Sequence, residues 1–169
     1  MEIDWVPRSL NDKADYLSKI VDFDDWEVVP EIFQFLDSRC GPHTVDCFAT
    51  FYNLKVPRFF SRFWNPGSSG VDAFFQTWQG ENCWVVPPVV LLSKVLRFMS
   101  LSSAQGTLVL PYRPSAPFWP LLVRDFGDFV IDYQFFVGAL SVRPGRNSNS
   151  LLGSPTWSGH IIAVRLVFP

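Results

Sequence analysis

Along the chain, apolar positions alternate between a spacing of three to four and a spacing of two, and each change marks an element. In "PEIFQFLDSRCG", residues 30–41, Ile32, Phe35 and Leu36 share a helical face, with Pro30 at the start and Gly41 at the stop. "HTVDCFAT", residues 43–50, reads as a short apolar strand, and "CWVVPP", residues 83–88, as another that ends on two prolines. Leu92, Val95, Leu96 and Met99 then fall on one face of a helix. "GTLVLPY", residues 106–112, is a third strand. "GHIIAVRLVF", residues 159–168, is a fourth by its β-branched content and its alternation of Ile162, Val164, Leu166 and Phe168. An acidic linker over residues 20–30, an aromatic-rich loop after Ala49 and the turn-forming "RPGRNSNSLLGSP" fill the rest. Helices alternating with short, nearly continuous apolar strands predict an α/β fold: a mainly parallel central sheet with helices on both faces. In it "TVDCFA", "CWVVP" and "GTLVLP" are adjacent strands.

Composition supports a folded domain, since 169 residues with 48% hydrophobic and 18% charged side chains bury a sizeable core. Seventeen Phe and seven Trp are many for a core of this size, so either the core is aromatic-rich or some rings face another domain or a ligand. A net charge of −2 argues against nucleic-acid binding by bulk electrostatics and leaves room for a local basic patch. Cys40, Cys47 and Cys83 match no zinc spacing and read as free thiols in a reducing compartment. With no leader pattern and no apolar run approaching the ~18 residues of a membrane span, the expectation is an intracellular protein, cytoplasmic or nuclear, or a piece of one.

The chain opens on "DWVPRSLNDKADYLSKIVDFDDW", in which Trp5, Pro7, Asn11, Ala14, Asp15 and Leu17 stand in the register of "WVPR.LN..AD.LS". That string resembles the C-terminal end of the ribonuclease H domain in retroelement polyproteins. The resemblance implies that Asp15 corresponds to an aspartate that helps bind catalytic magnesium, but one carboxylate cannot hold a two-metal site. It therefore works as an address label, dividing the chain into a ribonuclease H tail at residues 1–25 and a second domain at 26–169. In that second part "VDCFAT", "N.KVPRFFS", "VDAF...W", "CWVVPP" and "GTLVLPYRPSAPFWPLL" follow in order. Their order resembles the adenine DNA methyltransferase-like domain that DIRS-type, tyrosine-recombinase retroelements carry behind ribonuclease H, and more distantly the phage Dam enzymes. The fold implied is a methyltransferase-like three-layer sandwich.

The resemblance also implies chemistry. S-adenosylmethionine would bind outside the strand ends, with Asp46 and Ala49 at the matching positions and Asp72 of "VDAF" as a second acidic candidate. The base pocket of the family is an Asn or Asp followed by Pro-Pro and an aromatic, the oxygen and a proline carbonyl accepting from the target amine while the ring stacks on the base. Here the sequence is Val86-Pro87-Pro88-Val89. Val86 has no side-chain acceptor and Val89 no ring, so Pro87 and Pro88 are either the frame of a degenerate motif or simply the end of a strand before a helix. Trp84 is a substitute stacking ring, and Arg113 and Trp119 in "YRPSAPFWPLL" form either a stacking platform for bases or part of a proline-broken helix docked on the core. Only His43 and His160 are available as imidazole bases and neither lies in a nucleophile motif; Gly67 and Gly70 lack the Lys-Ser/Thr of a phosphate loop. Two readings stand: an S-adenosylmethionine-dependent adenine methyltransferase-like domain, active or relict, and a noncatalytic module that binds DNA or the neighbouring reverse transcriptase, ribonuclease H and recombinase domains.

Overall fold

The computed structural model describes residues 25–145, 152 and 157–169. The segment resembling a ribonuclease H tail, Asp15 included, lies outside these residues. In chain order the elements are β1 (Trp26–Val28), α1 (Pro30–Cys40), β2 (Val45–Asp46), β3 (Phe60–Ser61), β4 (Gly70–Val71), β5 (Asn82–Val85), α2 (Leu92–Leu101), β6 (Gln105–Pro111), α3 (Phe118–Pro120), β7 (Val130–Val137), α4 (Gly138–Ser141), β8 (Val142–Pro144) and β9 (His160–Val167). A π-helical turn, Leu121–Asp125, continues α3.

Five strands form the central sheet in the order β2-β5-β6-β9-β7. The strands expected side by side, β2, β5 and β6, are adjacent and parallel. The rest of the expectation is corrected. β9 runs antiparallel to both β6 and β7, and these two ladders hold seven register pairs each against four and two in the parallel ones. Of the four α-helices only α1 and α2 exceed four residues. The chain is therefore mixed α/β with mostly antiparallel pairing, and not the mainly parallel methyltransferase-like sandwich that the motifs implied. The two-stranded pair β3–β4 lies outside this sheet, touching it through one parallel bridge between Phe59 and Asp46.

Alternate residues of the central strands enter two separate cores. Cys83, Val85, Leu108, Leu110, Ile162, Val164 and Leu166 face α2 and the 118–129 segment. Trp84, Val86, Val109, Ile161 and Ala163 face α1 and the antiparallel ribbon β1–β8. Because both faces are covered, β9 is apolar at consecutive positions. α2 presents Leu92, Val95, Leu96 and Met99 to the core as the spacing predicted, each fully buried and worth about 1.5–3 kcal/mol. α1 departs from its prediction: Leu36 is buried and Ile32 and Phe33 pack beside it, while Phe35 is exposed and meets only the edge of Phe136. The acidic "linker" likewise contains β1, with Trp26 deep in the second core. Gly106 permits the close approach of β6 to β5, since a Cβ there would lie 2.4 Å from the Cys83 carbonyl oxygen.

Candidate functional site

The β2–β5 strand end is built from short segments that satisfy one another. Asp46 takes its place in β2 beside Trp84 of β5 and donates its amide to the Arg58 carbonyl. Its carboxylate is fully enclosed and accepts the Lys55 amide at 2.9 Å. Burial pushes that carboxyl from 3.8 up to about 7, against the pull of the Lys55 and Phe48 amides. The Lys55 ammonium neutralises Glu27 instead, at 2.9 Å, and also donates to the Asn53 carbonyl. Pro87 and Pro88 are both buried, and the Pro87 carbonyl accepts the indole Nε1–H of Trp26 at 2.8 Å. Pro88 then caps the turn Val89–Leu91 that leads into α2, the permissive position for a residue with fixed φ and no amide to donate.

The predicted residues are brought together only in part. Asp46, Trp84 and Val86 line one cavity of about 10 Å³ with Trp26 and Lys55. Ala49 and Pro88 line another of about 30 Å³ with Asp25, Thr50, Arg62 and Asn65. Asp72 lies beyond both, capping the turn Ala73–Phe75 by accepting the Phe74 amide, with its own amide on the Ser61 carbonyl. Trp84 is buried between the edges of Phe33 and His43 and offers no face to solvent. Arg113 is half-buried in the turn after β6, and Trp119 packs edge-on against Tyr112 at 5.1 Å in a larger groove along β7. Among the described residues no group of three His, Cys, Asp or Glu side chains is placed to hold a metal, and no helix is long and apolar enough to cross a membrane.

Beside Pro88, the loop between β2 and β4 displays aromatic rings on a fixed frame. Asn53 accepts the Thr50 amide and donates to Asp25, while Asn65 accepts the Phe51 amide, so two buried side-chain amides hold the loop at both ends. On that frame Phe51, Phe63 and Trp64 are 47%, 40% and 67% exposed. The Arg62 guanidinium lies 5.9 Å from the Phe63 ring centre. The sequence contained the signal, "FYNLKVPRFFSRFW", as basic residues interleaved with aromatics.

A second polar cluster lies on the same face of the sheet, beyond Trp84. Asp37 Oδ1 is 2.7 Å from His43 Nδ1, and His43 Nε2 is 2.8 Å from Thr107 Oγ1. Burial holds the imidazole below its ordinary value and the bonds from His43 hold Asp37 below its own, so a neutral ring faces a carboxylate. The carboxylate accepts, which assigns the proton to Nδ1 and makes Nε2 the acceptor of the Thr107 hydroxyl. The order acid, imidazole, hydroxyl mimics a hydrolase triad, but Thr107 is 1% exposed and the adjoining cavity holds about 10 Å³. No substrate reaches that hydroxyl, and the cluster ties α1 to β6. No protein-family model matches the chain, and no curated protein is significantly similar to it.

Proposed function

We propose that the chain is a noncatalytic nucleic-acid-binding module derived from the adenine methyltransferase-like part of a retroelement polyprotein, with the Phe51, Phe63, Trp64 loop as its contact surface. The reading rests on motif order for its ancestry and on one observation for its lack of chemistry: the Pro87 carbonyl, one of the acceptors the reaction needs, belongs to a buried residue and faces the Trp26 indole that donates to it. Two further features agree with it. Asp46 is sealed against its own loop, and the cavities at the strand end, about 10 and 30 Å³, fall far short of the ~300 Å³ that a cofactor of nucleoside size requires. Among the described residues that end therefore leaves no room for S-adenosylmethionine.

What remains accessible there is a set of exposed rings with a guanidinium alongside. Stacking on such rings is sequence-tolerant and is worth about 1–3 kcal/mol per base. A phosphate beside the Arg62 guanidinium makes it mildly salt-dependent without requiring a basic protein overall. The test has two arms. Calorimetry should show no heat with S-adenosylmethionine, and labelled single-stranded DNA should bind with an affinity that falls as salt rises and drops about five- to hundredfold in Trp64→Ala. Methylation of adenine by the purified chain would refute the noncatalytic reading, and a Trp64→Ala variant that binds DNA like the wild type would refute the surface.

A further inference from the structure

β7 turns its apolar side chains toward the side left open. Tyr133, Phe135 and Val137 are 60%, 42% and 53% exposed, whereas Asp132, Gln134 and Phe136 lie half-buried on the other face. There Arg39 of α1 donates to Asp132 at 3.0 Å and to Gln134 at 3.1 Å. A half-covered strand normally buries its apolar side, so this reversal marks a surface meant to be covered by something else. Between β7 and the 118–129 segment lies a groove of about 550 Å³, within the ~300–1,000 Å³ range of ligand sites. Ile162 and Val164 of β9 form its floor.

The walls carry the chemistry. Tyr112 meets Trp119 at 5.1 Å and 79°, and Phe135 at 5.3 Å and 89°, while Tyr133 meets Phe135 at 6.0 Å and 84°. These near-perpendicular aromatic pairs line the groove, and an aromatic face attracts a cation through the negative part of its quadrupole. Asp128 is the only charged residue among the described lining, and its carboxylate makes no ion pair or hydrogen bond with any described residue. Among the described residues no Lys or Arg lines the groove, and Arg124 is turned to Asp125 at 3.4 Å. Ring faces, an unneutralised carboxylate and an aliphatic floor complement a cation on an apolar stem. A phosphodiester would meet Asp128 with no basic residue in compensation.

We infer that this groove docks a lysine side chain from a basic segment of a partner protein, the ammonium against the rings and Asp128 and the methylenes on Ile162 and Val164. The surface is distinct from the Phe51, Phe63, Trp64 loop, and either stands without the other. The probe is a synthetic lysine-rich peptide titrated calorimetrically into the full chain, beside the same peptide carrying norleucine, which keeps the methylenes and removes the charge. The lysine peptide should bind at least ~tenfold tighter. Asp128→Lys should lower its affinity at least ~tenfold without moving the thermal midpoint, because the replaced side chain is exposed and unpaired. Asp125→Lys, with the same change of net charge, should alter affinity by no more than about twofold, as exposed paired charges do. Equal binding of the two peptides, or equal loss in the two charge reversals, would overturn the assignment. So would finding the groove filled by single-stranded DNA that displaces the peptide, or by a second copy in a dimer that Asp128→Lys dissolves.

Discussion

Replacing Asp46 by Asn should remove one contribution to stability that is lost between acid and neutral pH. The Asp46 carboxyl titrates at 3.8 in an unfolded chain and near 7 in the fold, because burial penalises its charge more than the Lys55 and Phe48 amides reward it. A folded-state value above the unfolded one means that the native chain holds its proton longer. The associated stability is complete below pH 3.8 and is lost as pH rises through about 7. The interval corresponds to about 4 kcal/mol, a large share of the ~5–15 kcal/mol that holds a domain together. Lys55 offsets the burial only in part, since its ammonium is held by Glu27 and the Asn53 carbonyl and Glu27 itself repels the carboxylate. Asn is neutral at every pH and keeps a carbonyl oxygen for the Lys55 amide. The assay is urea unfolding of both proteins from pH 4 to pH 8.5. The wild type should weaken relative to Asp46→Asn by up to about 4 kcal/mol across that range, most steeply from pH 4 to 7. His43, whose depressed value makes stability rise with pH below 6.5, contributes equally to both and cancels in the difference. Parallel curves, or a gap that closes as pH rises, would refute the enclosure of this carboxyl.

Three other substitutions probe the frame. Trp26→Phe keeps a ring in the second core and removes the donor to Pro87, which should cost about 1–2 kcal/mol in denaturant unfolding and leave the Pro87 carbonyl without a partner. His43→Ala strands the Thr107 hydroxyl and opens a cavity beside Trp84 and Phe33, for an expected loss of about 2–4 kcal/mol by thermal or urea unfolding. Gly106→Ala drives a methyl group into the Cys83 carbonyl across the β5–β6 ladder, and should destabilise by roughly 1–3 kcal/mol, measured as a lower thermal midpoint.

What the sequence made legible was local. The face of α2 could be read because four apolar residues at helical spacing are all covered by one layer. The segments "VDCFA", "CWVVP" and "GTLVLP" could be read as neighbours because runs buried on both faces are nearly continuous in apolar residues. The direction of β9 could not, since "HIIAVRLV" carries the same pattern whichever way it runs; its insertion between β6 and β7 depends on where the chain re-enters after residue 144. β7 alternates and is flanked by Gly127 and Gly138, but alternation alone does not tell which side is covered, and here the apolar side faces outward. β1 was hidden in an acidic context, and only the burial of Trp26 against Val86 and Val142 explains why "WEV" is a strand. At the candidate site, sequence could name Asp46 and Pro87 but not what faces them. The partners come from residues 61 positions away for Pro87 and nine away for Asp46.

Those partners bear on function in a way that residue identity alone does not. A group kept for chemistry must stay incompletely satisfied until substrate arrives, and that deficit costs stability. At this strand end the described residues show no such deficit: a proline carbonyl has an indole donor, an aspartate has its own loop, and the cavities beside them hold about 10 and 30 Å³. An acceptor placed at Val86 and a ring at Val89 would therefore still find no room for a nucleoside beside the Pro87 carbonyl. In contrast, the exposed rings at Phe51, Phe63 and Trp64 and the open apolar side of β7 remain uncovered by the described chain, although covering them would release water from large apolar surfaces. A closed polar strand end beside open aromatic surface is what the proposed contact role requires, and it is the surface, not the strand end, that the Trp64→Ala and Asp128→Lys variants test.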